Sequence, residues 1–262
     1  MLTEHEPGEK PREEAVKKKP GTWGLPSLGF LLALAAIVAA MAAGFGTRLG
    51  LWHFRTGFAI LKWSAYGGLA AAALAFAGLL LAVRGRRPGG FLLALLALCV
   101  GVAVFTVPLK WRLAAAKVPP IHDITTDTVQ PPQFVDILHL RRDAPNPAEY
   151  GGAVVASQQQ KGYPDIKTAI INSSREEVFA RALAVAREMK WEVVAAVPAE
   201  GRIEATDATF WFGFIDDIVI RITGAGYRSL VDIRSVSRVG KSDAGTNAAR
   251  IREFLRRLTT GI

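Results

Sequence analysis

LGFLLALAAIVAAMAAGFG (Leu28–Gly46), GFAILKWSAYGGLAAAALAFAGLLLAV (Gly57–Val83) and GFLLALLALCVGVAVFTV (Gly90–Val107) are the stretches that decide the fold. None contains an acidic residue, and the only basic one is Lys62. A helix covers the hydrocarbon core of a bilayer with about 20 apolar residues, so each run reads as a membrane span. The second is crowded with small residues (Gly67, Gly68, Ala70–Ala73, Ala75, Ala77, Gly78), which let helices approach closely. The predicted architecture is three transmembrane helices at 28–107 followed by a soluble α+β domain.

Working outward, residues 1–27 are polar and carry five Lys/Arg against five Asp/Glu; they are expected to be mobile. Lys17, Lys18 and Lys19 precede the first run. The polar segment and the run are both long for a secretory signal, so a retained anchor is expected. Trp23, Trp52 and His53 fall where interfacial residues collect, and Lys62 can snorkel to the water boundary. Arg84-Gly85-Arg86-Arg87 forms a basic loop between the second and third spans. Basic residues favour the cytoplasm, which places the amino terminus inside. The carboxy-terminal domain is then extracytoplasmic, periplasmic if the cell is Gram-negative. A reporter joined after Ile121 that works only in the cytoplasm would contradict this orientation.

The net charge of +9 resembles that of a nucleic-acid binder, but its distribution argues otherwise. Residues 28–165 hold 12 basic against 6 acidic residues, an excess of 6, whereas 166–262 hold 15 against 12, an excess of 3. Most of the excess therefore surrounds the spans, and no nucleic-acid motif accompanies it. Cys99, the single cysteine, lies inside the third run, so no intramolecular disulfide forms.

Residues 108–165 are proline-rich and are expected to be an extended linker that partly wraps the domain. From about residue 166 the order β-α-β-β-β-β-α is expected, an antiparallel sheet gripping a terminal helix. Ser174 and Glu177 form a capping box at a helix start. Ile218, Ile220 and Ile222 share one strand face, continued by Val231 and Ile233. A four-residue turn at Gly224–Tyr227 would set Asp217 opposite Arg234. Ala248, Ile251, Phe254 and Leu258 mark the apolar face of the final helix.

The stretches Ile121–Asp127, Gly201–Ala205, Phe210–Asp217 and Arg234–Asp243 together resemble the family filed as domain of unknown function 1499, over about residues 118–260. Members similar to this chain include forms with amino-terminal membrane helices. The resemblance implies a domain and its boundary, and no reaction.

Several residues are candidates for chemistry. Arg234, Ser237, Arg238, Gly240, Lys241, Ser242 and Asn247 combine guanidinium forks, hydroxyls and a glycine-rich entry to a helix, a pattern that binds phosphate or carboxylate. The same residues also suit a capped helix start, with Ser242 or Asp243 as cap and Arg238 paired to Asp243 or Asp217. Trp211 and Phe214, with Phe210 and Phe212, form either an aromatic plug between sheet and helix or a wedge resting on lipid or an apolar ligand. Asp216 and Asp217 point to opposite faces of a strand and cannot share a proton; Asp216 is expected to face solvent. His122, Asp123, Asp127 and Asp217 form a weaker polar cluster, with no second histidine at zinc spacing. No cofactor, metal or catalytic set is read.

The expected function is a membrane-anchored extracytoplasmic binding module. It would hold a lipid or other amphipathic anionic ligand in the crevice between sheet and terminal helix. The alternatives are a structural or assembly subunit with a membrane-protein partner and, last, a hydrolase using His122 and Asp123.

Overall fold

The computed structural model describes residues 24–86 and 88–260; the polar amino-terminal segment expected to be mobile falls outside them, save its last residues. Three long helices come first, α1 (Gly24–Arg48), α2 (Phe54–Arg84) and α3 (Pro88–Ala115). All three are long and apolar enough to cross a membrane. Their packing is inside-out relative to a water-soluble bundle. Ala33, Ala43, Ala71, Ala75, Ala94 and Ala97 are buried between helices, while Leu31, Val38, Leu69, Phe76 and Leu92 face outward. Small residues inside and large apolar ones outside suit a lipid surround, where close backbone approach drives association. A Cβ added at Gly101 would lie 2.6 Å from the Gly68 carbonyl oxygen, so these two glycines are where α2 and α3 touch. α3 continues through Pro108 into what was expected to be linker; the ring forfeits one backbone donor and the flanking turns carry the helix on.

The soluble domain contains β1 (Asp123–Thr125), a 3-10 helix at Asp136–Arg141, α4 (Gly152–Gly162), β2 (Ala169–Ile171) and α5 (Arg175–Glu188). The strands β3 (Glu192–Val197), β4 (Arg202–Ala208), β5 (Ile215–Ala225) and β6 (Arg228–Ser237) follow, then α6 (Thr246–Thr259). The antiparallel sheet runs β1-β6-β5-β4-β3, and β2 also pairs with β6. The capping box at Ser174 is formed, with both reciprocal bonds in place. The β5–β6 turn is tighter than expected. Ala225 pairs with Arg228 and only Gly226 and Tyr227 lie between them. Gly226 has φ +67°, and a positive φ at the first central residue is the demand of a two-residue II′ hairpin. The register therefore moves by two residues, so Asp217 lies opposite Val236 and Arg221 opposite Asp232. A shift of two preserves the face of every side chain, and the isoleucine face is as expected.

That face carries Ile203, Ile218, Ile220, Ile222, Val231 and Ile233 and packs against α5 and α6. Trp191 stacks on Phe254 at 5.5 Å within it. The opposite face is charged yet buried: Glu204, Asp217 and Arg234 are each fully sequestered. Residues 126–150 cover it. The amides of Val135 and Ile137 donate to Glu204, both at 2.8 Å, and Phe134 and Ile137 pack on Val219 and Val236. Three elements inside 108–165 were not foreseen. β1 has three residues, and α4 is polar with one buried side chain, Gln159. The Gln159 amide bonds the Thr125 backbone at both ends, 2.9 and 2.6 Å, so a polar clamp fixes this helix where an apolar stripe usually would.

Candidate functional site

Arg234 lies at the centre of the charged face. Its Nε and Nη2 donate to both oxygens of Asp123, at 2.9 and 2.8 Å, and Nη2 also to the Ala148 carbonyl at 2.7 Å. The rings of Phe134 and Tyr150 flank its guanidinium at 5.2 and 5.5 Å. Burial, reinforced by the nearby Asp123 charge, pushes the Tyr150 hydroxyl up to about 12. The expected Asp217–Arg234 pair is therefore replaced. Asp217 instead takes Arg238 through two bonds of 2.9 and 2.8 Å, and Arg141 as well. Asp216, expected in solvent, is 2% exposed. It accepts from Arg250 at 2.7 Å because α6 covers that face.

The remaining residues of the Arg234–Asn247 stretch organise the entry to α6. Asp243 accepts from the amides of Gly245 and Asn247, at 3.0 and 2.6 Å. A carboxylate of the chain itself thus occupies the place where an outside anion would bind. Asn247 donates to Ser237 Oγ and the His122 carbonyl, and Asn146 donates to the Gly240 carbonyl. Ser242 Oγ accepts from the Ala244 amide. Lys241 is exposed. Burial raises the Asp243 carboxyl above its ordinary value, more than the two amides lower it. The folded state then binds this proton more tightly than the unfolded chain. Stability contributed here is fully present below the unfolded value and declines as pH rises through the folded one. Asp243→Asn keeps the cap and removes the proton, so its unfolding free energy should lose this pH-dependent decline; an unchanged pH profile would refute the assignment.

Of the weaker cluster, Asp123 is committed to Arg234. Asp127 accepts from the amides of Val129 and Gln130 and from Arg221. Burial raises its carboxyl, but these donors together outweigh it and hold it below the usual value. His122 contributes backbone only, its carbonyl accepting from Ser237 and Asn247. Among the described residues no cluster of His, Cys, Asp and Glu is placed to hold a metal ion.

The aromatic run is not the expected plug between sheet and terminal helix. The β4–β5 loop reaches into the helix bundle. Trp211 Nε1 donates to the Met41 carbonyl at 3.3 Å, and its ring lies over Gly44. Phe212 is buried among Ala36, Ala40, Ala43, Leu61 and Val104. Phe214 meets Phe54 and Phe58 at 5.8 and 6.0 Å. The space between sheet and terminal helix, expected to be a crevice, is filled by the isoleucine core. A crevice of about 380 Å³ opens elsewhere, at the seam between bundle and domain. Trp52, His53 and Phe54 line it from the α1–α2 connection and the start of α2, and Leu140, Asp143, Ala144, Pro145, Phe214 and Arg238 from the domain. It unites Arg238 and Phe214, two of the candidate residues. Trp52 and His53, read as interfacial, form another wall; that these walls meet carried no sequence signal, because they come together only through the docking.

The molecule is a three-span membrane protein with a small antiparallel α+β domain seated on one end of its bundle. Residues 123–258 match the family described as "Protein of unknown function (DUF1499)", and the chain belongs to that family. No curated protein matches the chain.

Proposed function

We propose that the chain is an extracytoplasmic, membrane-anchored binding module. It holds a lipid or other amphipathic ligand, with an anionic head group, in the crevice at the bundle–domain seam. The observation that carries this is the joint presence of Arg238 and Phe214 in one crevice beside the ends of the spans. Two guanidiniums, Arg141 and Arg238, share the single buried carboxylate of Asp217, which leaves positive charge at the wall for a phosphate or carboxylate. Asp143 in the same crevice offers a counter-charge to a cationic group on the same head. An apolar groove of about 390 Å³ between α1 and α2, beginning at Thr56, suits an acyl chain. The basic loop at 84–87 favours the cytoplasm and puts the domain on the far side. The hydrolase alternative loses Asp123 as an acid or base, since both of its oxygens bind Arg234.

Native mass spectrometry of the detergent-purified full-length chain should show one co-purifying lipid per chain. Ala144→Trp, which fills the crevice without touching an ion pair, should remove it. Absence of lipid from the unsubstituted chain, or equal retention by the variant, would overturn the proposal.

A further inference from the structure

We infer that Phe210, at the tip of the β4–β5 loop, inserts into the bilayer, so that the soluble domain itself touches lipid. This contact is separate from the ligand crevice. Its ring is 79% exposed although its two successors are packed into the bundle. The loop descends beside α1 to Met41, whose carbonyl receives the Trp211 indole. Met41 lies 48 − 41 = 7 residues inside the end of α1, roughly 10 Å along the axis at about 1.5 Å per residue.

Phe210 lies nearer the end of α1 than Trp211 does, beside Phe45, and its neighbours belong to the lipid-facing side of that helix. Its ring meets Phe45 edge-on at 5.7 Å. Met41, one turn back on the same helix face, is 50% exposed. Phe210 extends this apolar surface from the helix onto the domain. A soluble loop ending here would strand an aromatic ring in water and gain nothing from it. Irregular backbone at membrane depth also needs partners for its polar groups, and the loop has them. Arg48 Nη1 donates to the carbonyls of Thr209 and Phe210 at 3.1 and 2.6 Å. The Thr209 amide bonds the Phe214 carbonyl at 2.8 Å, the Gly213 amide the Thr209 carbonyl at 2.9 Å, and the Phe214 amide the Thr209 hydroxyl at 2.9 Å. Arg48, the last residue of α1, extends its charge from the helix end to the loop and caps it. The occupant that fits a bare aromatic ring beside an outward helix face is a lipid chain near the head-group boundary.

The test uses the full-length chain with Cys99→Ala, in lipid vesicles, carrying one nitroxide at Phe210→Cys, Val38→Cys or Val129→Cys. Collisions with oxygen and with a water-soluble nickel chelate report the surroundings of each label. Position 129 is 87% exposed on the domain, and position 38 is 59% exposed on α1. The ratio of oxygen to nickel accessibility at position 210 should be severalfold above that at 129 and approach that at 38. A ratio equal to that at 129 would overturn the inference, as would protection from both collision partners, which would mean that protein covers the ring. The label at 38 reports on the spans alone, and removal of the crevice by Ala144→Trp should leave the result at 210 unchanged.

Discussion

Arg234→Ala should cost the domain about 3–5 kcal/mol, the loss typical of removing one partner from a buried ion pair. Arg234 is fully buried and Asp123 is 4% exposed, so truncation leaves a carboxylate with neither water nor a counter-charge. It also unties residues 126–150 from the sheet, because the same guanidinium holds the carbonyls of Pro132 and Ala148. Small domains have about 5–15 kcal/mol of stability in all, so a large part of it is at stake. Arg234→Lys should recover only a fraction, since an ammonium cannot make the paired bonds to Asp123. Joining Arg234→Met to Asp123→Leu should recover more than the lysine does, because no unpaired charge remains. Urea unfolding of the full-length chain in detergent, followed by near-ultraviolet circular dichroism, measures all three. A loss under about 1 kcal/mol for Arg234→Ala, the size of a surface pair, would show that the pair does not close the wrap.

Phe212→Ala should have an effect of similar size on a different quantity. A buried phenylalanine truncated to alanine costs about 3–5 kcal/mol. Phe212 is buried in the bundle cluster and takes no part in the isoleucine core. The loss therefore falls on docking. The domain should keep its own melting temperature while the ratio of docked to undocked forms drops by on the order of a hundredfold or more. A lowered melting temperature of the domain with docking intact would place Phe212 in the wrong unit.

The spans, the isoleucine face and the amphipathic α5 and α6 were legible because each is a local periodicity. The two-residue register error at β5–β6 came from counting Gly224 and Ala225 into the turn, when they extend the strand; parity rescued the face. Of the buried ion pairs, Arg238–Asp217 was legible as one of two options for Arg238, and the others were not. Asp217 had Arg234 and Arg238 equally available by position, and the choice depends on Arg141, 76 residues away in a segment read as linker. Helix α4 hid because Gln159, a polar residue, anchors it. The seam crevice and the aromatic docking had no local signature at all. Trp211 and Met41 are 170 residues apart, and the surface that receives the aromatics is built from alanine and glycine, which look the same whether they meet a neighbouring helix or a ring.

The aromatic loop fixes the domain on the bundle, leaving residues 116–122 between α3 and β1 to bridge the two without swinging. Pulsed electron resonance between nitroxides at Val38→Cys and Val129→Cys, in Cys99→Ala full-length protein reconstituted in lipid, measures this directly. A docked domain gives one narrow distance distribution that broadens when Phe212→Ala is added. A distribution already broad without that substitution would mean a domain swinging on a tether, with the aromatic loop not holding it.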